Sequence, residues 1–239
     1  MSITTEISAD SSPVFADMLK NPGLDGDQTI RLVDDGIERG VTLTAFFNLV
    51  YLGTIPVIDD SKDFIPVVKR ILSLWRFLNK YDSVAYLRLF RSALGNRIES
   101  APEERFNLLY FVVGAAINDV ELSYKAMLNA GQSEVFTTTG GRGAPEELDK
   151  AVKYGKYWHL ASLPLDLYMM IPKHYTLAYE RSIRAIGGTE FEPPRWAAYK
   201  FRQLVLDYGE VLREGKPLIQ SQASETSTAW SLINLSVVV

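Results

Sequence analysis

Apolar residues recur at steps of three and four along most of this 239-residue chain, the spacing that gathers them on one face of a helix. The stretch 41–52 carries Val41, Leu43, Phe46, Phe47, Leu49, Val50 and Tyr51, and Gly53 follows as a residue suited to closing a helix. After a connection at 55–60 that contains Pro56, Pro66 opens a second helix with Val67, Val68, Ile71, Leu72, Trp75 and Leu78 at the same steps. A shorter helix over 84–94 ends before Gly95-Asn96. Upstream, Ser12-Pro13 starts a short helix holding Val14, Phe15, Met18 and Leu19, and Asn21-Pro22-Gly23 ends it. One segment has the other period: 29–33 alternates apolar with polar residues and predicts a half-buried strand.

Beyond residue 98 the local signals are all helical. Ser100-Ala101-Pro102-Glu103 combines a capping box with an early proline, and Phe106, Leu109, Tyr110 and Val113 form the stripe of the helix it starts. Asn118-Asp119-Val120-Glu121 reads as a second cap, opening a helix that Gly131 ends. A glycine-rich loop over 136–144 follows. Further helices are predicted over 145–158, 172–186 and 194–213, with Pro164 and Pro172 interrupting the region between the first two. Residues 220–228 are rich in Ser, Thr, Gln and Glu and predict a mobile tail, although 232–239 is apolar for a terminus.

Composition narrows the function classes. The net charge of -4 and the scatter of the Lys and Arg residues give no electrostatic reason to bind nucleic acid or anionic lipid. No cysteine is present, so thiolate chemistry, disulfides and Cys-type zinc sites are excluded, and the chain suits a reducing compartment. The first ten residues are polar and acidic where a secretory leader needs a basic start and an apolar run. The longest nearly uncharged apolar run, 108–117, is about half the ~20 residues a membrane-spanning helix needs.

Candidate chemistry is sparse. His159 and His174 stand fifteen positions apart with no acidic residue at helical spacing, so with Asp166 they fall one ligand short of a metal centre. Ser162, His159 and Asp166 hold the residue types of a hydrolytic triad, but no Gly-x-Ser-x-Gly elbow surrounds the serine. Thr139-Gly140-Gly141-Arg142-Gly143 is glycine-rich without the Gly-Lys-Ser/Thr ending of a phosphate loop. The acid pairs Asp34-Asp35 and Asp59-Asp60 fall in predicted turns, where carboxylates are solvated. Tyr154, Tyr157, Trp158, Tyr168, Tyr175 and Tyr179 interleave with Lys150, Lys153, Lys156 and Lys173, a pattern that amphipathic helices with a lysine outer face produce as readily as a nucleic-acid platform. No residue is assigned a catalytic, cofactor-binding or metal-binding role, and no cofactor is implied.

Four segments, taken in order, carry a resemblance. Ser12-Pro13-Val14-Phe15-Ala16-Asp17-Met18, Ile30-Arg31-Leu32-Val33-Asp34-Asp35, Tyr51-Leu52-Gly53 and Lys80-Tyr81-Asp82 follow the series Ser-Pro-x-Phe helix, strand ending in Asp-Asp, helix ending in Tyr-x-Gly, and helix ending in Lys-Tyr-Asp. The stretch 11–94 thereby resembles the back two-thirds of a BTB/POZ domain, and the whole texture is similar to the expanded BTB proteins of basidiomycete fungi. The domain's usual opening strands are missing from the ten residues ahead of Ser11, so the resemblance implies a truncated BTB/POZ-like helical cluster.

The fold class expected is mainly α (α+β with a minimal sheet), arranged as a partial BTB/POZ-like domain at 1–98, a helical region at 99–215 and a mobile tail at 216–239. The resemblance implies an intracellular (cytoplasmic or nuclear) adaptor that binds proteins and self-associates through its first half, rather than an enzyme, with no nucleic-acid or membrane partner. Ubiquitin-ligase substrate adaptors occur in that family, yet the loop 20–27 lacks the apolar-x-Glu element of many cullin-binding members. A strand without sheet partners would leave an edge open and favour self-association or low stability. The alternatives are a degenerate or truncated gene product without activity, or a metal-free hydrolase in the helical half, for which His159 or His174 would have to meet a carboxylate inside a cavity.

Overall fold

The computed structural model describes Pro13, Val14, Asp17, Asp34, Ile37 and residues 39–56, 64–101, 104–130, 158–185 and 194–214. Eight α-helices and one 3-10 turn lie wholly within these residues, and no strand is found among them, so the chain is mainly α. Pro13, Val14 and Asp17 are helical, as the Ser-Pro start predicts. The strand predicted at 29–33, the glycine-rich loop at 136–144, the helix at 145–158 apart from Trp158, and the tail at 216–239 lie outside the described residues.

Helix α1 (Gly40–Leu52) closes where its glycine allows. Gly53 takes φ 62°, a left-handed backbone that a Cβ opposes, and its N–H bonds to the Leu49 carbonyl at 3.0 Å. Helix α2 (Phe64–Lys80) begins two residues ahead of Pro66, which occupies the first turn, where its missing N–H costs nothing. Its end uses Asp82 at φ 44° in place of glycine, with the Ser83 N–H returning to the Leu78 carbonyl at 3.0 Å. Tyr81 is buried beneath that turn with its ring 4.8 Å from the Phe77 ring.

Helix α3 (Val84–Glu99) departs from expectation by running five residues beyond Leu94, through Gly95 and Asn96. Leu94 and Ile98 continue the four-residue period and are both fully buried, so packing carries the helix past a residue of poor intrinsic propensity. Gly95 serves proximity there: a Cβ on it would lie 3.6 Å from the Lys125 Nζ of another helix.

Helix α4 (Glu104–Ala116) was predicted to bury one stripe, but every residue from Phe106 to Ala115 is buried. The cause is position, since α2, α3 and α5 (Val120–Ala130) all lean on it. The turn into α5 is set by Asp119, whose Oδ1 accepts the Leu122 N–H at 3.1 Å in the predicted cap, after Asn118 at φ 57°. The two helices then cross at Gly114, where an added Cβ would stand 2.6 Å from the Ser123 Oγ and 2.8 Å from the Ser123 nitrogen.

Between Trp158 and Pro172, where Pro164 was expected to interrupt the chain, short helical turns form. The 3-10 turn Leu160–Ser162 and the single-turn α6 (Leu165–Tyr168) fill the region, too short to show a period in sequence. Helices α7 (Lys173–Ala185) and α8 (Pro194–Arg213) pack on one another, and α8 also rests on α5. Phe111 of α4 joins this layer, its ring 5.4, 5.6 and 5.5 Å from those of Trp158, Tyr179 and Phe201.

One hydrophobic cluster runs through both halves of the chain. The Phe64 and Phe106 rings meet edge-on at 6.4 Å, and Arg91–Asp119 (2.8 Å) and Lys125–Glu99 (3.0 Å) tie α3 to α5 and its cap. No helix among the described residues is long and apolar enough to cross a membrane.

Candidate functional site

Where α1 turns over at Gly53, the chain doubles back and Ile55 is drawn into the core. This return leaves a cleft of about 300 Å³ beside α1. One wall is the α1 flank bearing Val41, Thr44 and Asn48, three residues spaced so that they share a side of the helix. Thr54, Ile55 and Pro56 form the base. Arg70 reaches it from the solvent side of α2, and Arg97 from the last turn of α3. The extension of α3 past Gly95 is therefore what brings the second arginine to the cleft.

Among the described residues the cleft is lined by two cations and no anion. Neither guanidinium has an ion pair or hydrogen bond among the described residues, whereas many charges around them are matched. Lys69, next to Arg70, pairs with Asp166 at 2.8 Å, and Lys80 with Asp34 at 2.9 Å. At the α5–α8 seam Arg202 lies 2.6 Å from Glu121 and 5.5 Å from the centre of the Tyr124 ring. That seam is satisfied from within, and the α1 cleft is not.

The residues singled out from sequence are dispersed. Asp166 spends its charge on Lys69, and His159 is exposed at the edge of the 3-10 turn. His174 is half-buried with its ring edge-on to Tyr175 at 4.8 Å, and burial pulls its imidazole below the usual value. Neither histidine lines the cleft, and among the described residues no cluster of three metal-ligating side chains occurs. Of the acid pairs, Asp34 faces Lys80, while Asp35, Asp59 and Asp60 lie outside the described residues, as do Gly140, Gly141 and Gly143.

Of the aromatic run, Trp158, Tyr175 and Tyr179 are core and Tyr168 is half-buried, while Tyr154 and Tyr157 lie outside the described residues. Trp158 and Tyr179 stack at 6.2 Å, and the Tyr179 hydroxyl donates to the Trp158 carbonyl at 2.9 Å. Tyr175 is fully buried, and burial, with the Asp119 charge adding to it, holds its phenol well above the usual range. Rings engaged in this way offer no platform for bases.

Sequence reading missed the two arginines. The Leu94–Ile98 period was the signal that could have extended α3 and placed Arg97; nothing in the local sequence pairs it with Arg70.

No protein-family model matches the chain, and no curated protein or solved structure matches it either.

Proposed function

We propose that this chain is a protein-interaction adaptor of the BTB/POZ type that acts by contact rather than by catalysis, and that two copies associate through the outermost strip of α1. The observation that carries the reading is the stacked pair Phe47 and Tyr51, 6.1 Å apart, with Tyr51 58% exposed at the end of an apolar helix. Aromatic side chains presented in this way supply large contact area at little entropic cost and are enriched at interaction surfaces. Both residues lie in the half of the chain with the BTB/POZ-like segments, and homotypic association is what that resemblance implies. A ubiquitin-ligase substrate adaptor is the specific form it suggests, to be tested by co-purification with full-length cullin. The cysteine-free composition fits work inside the cell.

Light scattering across a concentration series tests the association. The chain is expected to dimerise, and Tyr51→Ser to shift it to monomer, with the same urea midpoint as the wild type at concentrations where both are monomeric. A chain that stays monomeric throughout the series would overturn the self-association.

A further inference from the structure

We propose that the cleft between α1, α2 and the end of α3 binds an acidic peptide segment, with Arg70 and Arg97 receiving its carboxylates. The inference rests on the adaptor reading and names the kind of partner segment this face would take.

Charge is the first argument. Acidic residues outnumber basic ones in the chain, 29 to 25, and cations close to the two arginines in sequence or space are matched by acids: Lys69 with Asp166, Lys125 with Glu99. Arg70 and Arg97 nevertheless converge on one cavity, and among the described residues it has no acid in its lining and neither guanidinium has a partner. Glu99, the acid nearest to Arg97 in sequence, is taken by Lys125, and the acids nearest to Arg70, Asp59, Asp60 and Asp63, lie outside the described residues. A guanidinium presents a planar fork of donors that matches a carboxylate in two bonds, so two of them on one cavity favour an anion over a neutral ligand.

Shape and chemistry of the remaining wall decide which anion. Val41 and the buried Ile55 give the cleft an apolar side, and Asn48 and Thr54 add amide and hydroxyl groups able to bond a peptide backbone. A small inorganic anion has no use for the apolar side. At about 300 Å³ the cleft sits at the bottom of the range of ligand pockets, enough for a side chain or two and too small to enclose a nucleotide cofactor. An acidic side chain followed by an apolar one uses both kinds of wall.

Fluorescence anisotropy with the full chain tests this, using a fluorescein-labelled peptide that alternates glutamate with leucine and a control with glutamine in place of glutamate. Saturable binding is expected for the glutamate peptide, with affinity that falls as salt is raised, and at least about tenfold weaker binding for the control. Arg70→Gln and Arg97→Gln should each weaken binding by about tenfold while leaving the urea midpoint unchanged, because neither side chain contributes an internal bond. Arg88→Gln, an exposed arginine outside the lining, should leave binding intact. Equal binding of the two peptides, or unchanged binding in both cleft variants, would overturn the inference. Displacement of the peptide by inorganic phosphate at equal concentration would also overturn it, in favour of a small-anion site. A monomer that binds the glutamate peptide through these arginines keeps the inference and removes self-association; a dimer that binds neither peptide does the reverse.

Discussion

Helices α1 and α4 are matched in length and composition and opposite in fate. Each has thirteen residues, nine of them apolar by the same definition (Ala, Val, Leu, Phe and Tyr in these segments). Yet α4 is buried from Phe106 to Ala115, while α1 leaves Val41, Tyr51 and Leu52 more than half exposed. The difference lies in neighbours. α4 is surrounded by α2, α3 and α5 and reached by the aromatic rings of the α7–α8 layer, whereas among the described helices α1 leans chiefly on α2 and α3. Apolar content thus exceeds what the core uses in one helix and is wholly consumed in the other. Surplus apolar surface on a folded chain marks a place for contact, and this is why the adaptor reading settles on α1.

The sharpest way to break this comparison is to remove one ring from each helix. Phe111→Ala, at the meeting point of three other rings, should lower the stability measured by urea unfolding by about 3–5 kcal/mol. Tyr51→Ala should stay within about 0.5 kcal/mol when measured at concentrations where the chain is monomeric. Similar losses for the two would show that α1 is as deeply integrated as α4.

A pair of glycines sharpens the same point with opposite signs. Gly114→Ala forces a methyl group against the Ser123 backbone and should destabilise by about 1–3 kcal/mol, since two helices must separate. Gly209 lies in α8 with nothing within 4 Å of an added Cβ, so Gly209→Ala should stabilise by about 0.5–1 kcal/mol through helix propensity. A stability gain at Gly114 would mean the α4–α5 crossing is looser than the structure has it.

The smallest effect belongs to His174, which packs on Tyr175 in the layer that buries α4. Burial holds its folded-state pKa below the ordinary 6.5, so the folded chain favours the neutral ring. The contribution is fully present above pH 6.5 and is lost as pH falls through that value toward the folded pKa, because the unfolded chain takes up the proton first. Between pH 7.5 and 5 the urea midpoint of the wild type should therefore drop more than that of His174→Gln. Parallel pH profiles for the two chains would show that the imidazole is solvated after all.

Much of the local structure was legible along the chain. Gly53 and Asp119 act at the helix ends where their chemistry predicted, and α8 spans the predicted 194–213. Those signals are local: a cap bonds a backbone group three residues away, and a left-handed closure depends on one residue's φ. The end of α3 was misplaced because Gly95-Asn96 reads locally as a stop, and only contact with Lys125, thirty positions later, shows the glycine to be a point of close approach. The same reason hid the cleft. Arg70 and Arg97 lie on separate helices, and their convergence depends on how α2 and α3 dock against α1.

By itself the sequence determined which segments are helical, where most of them stop, and that thiolate chemistry is absent, because period, caps and composition act within a few residues. The tertiary structure decided which apolar residues are spent. Nothing in nine apolar residues out of thirteen says whether a helix will be enclosed or left with an open face. Burial depends on partners remote in the chain, and those partners surrounded α4 while leaving Val41, Tyr51 and Leu52 of α1 exposed beside the cleft that Arg70 and Arg97 reach from other helices.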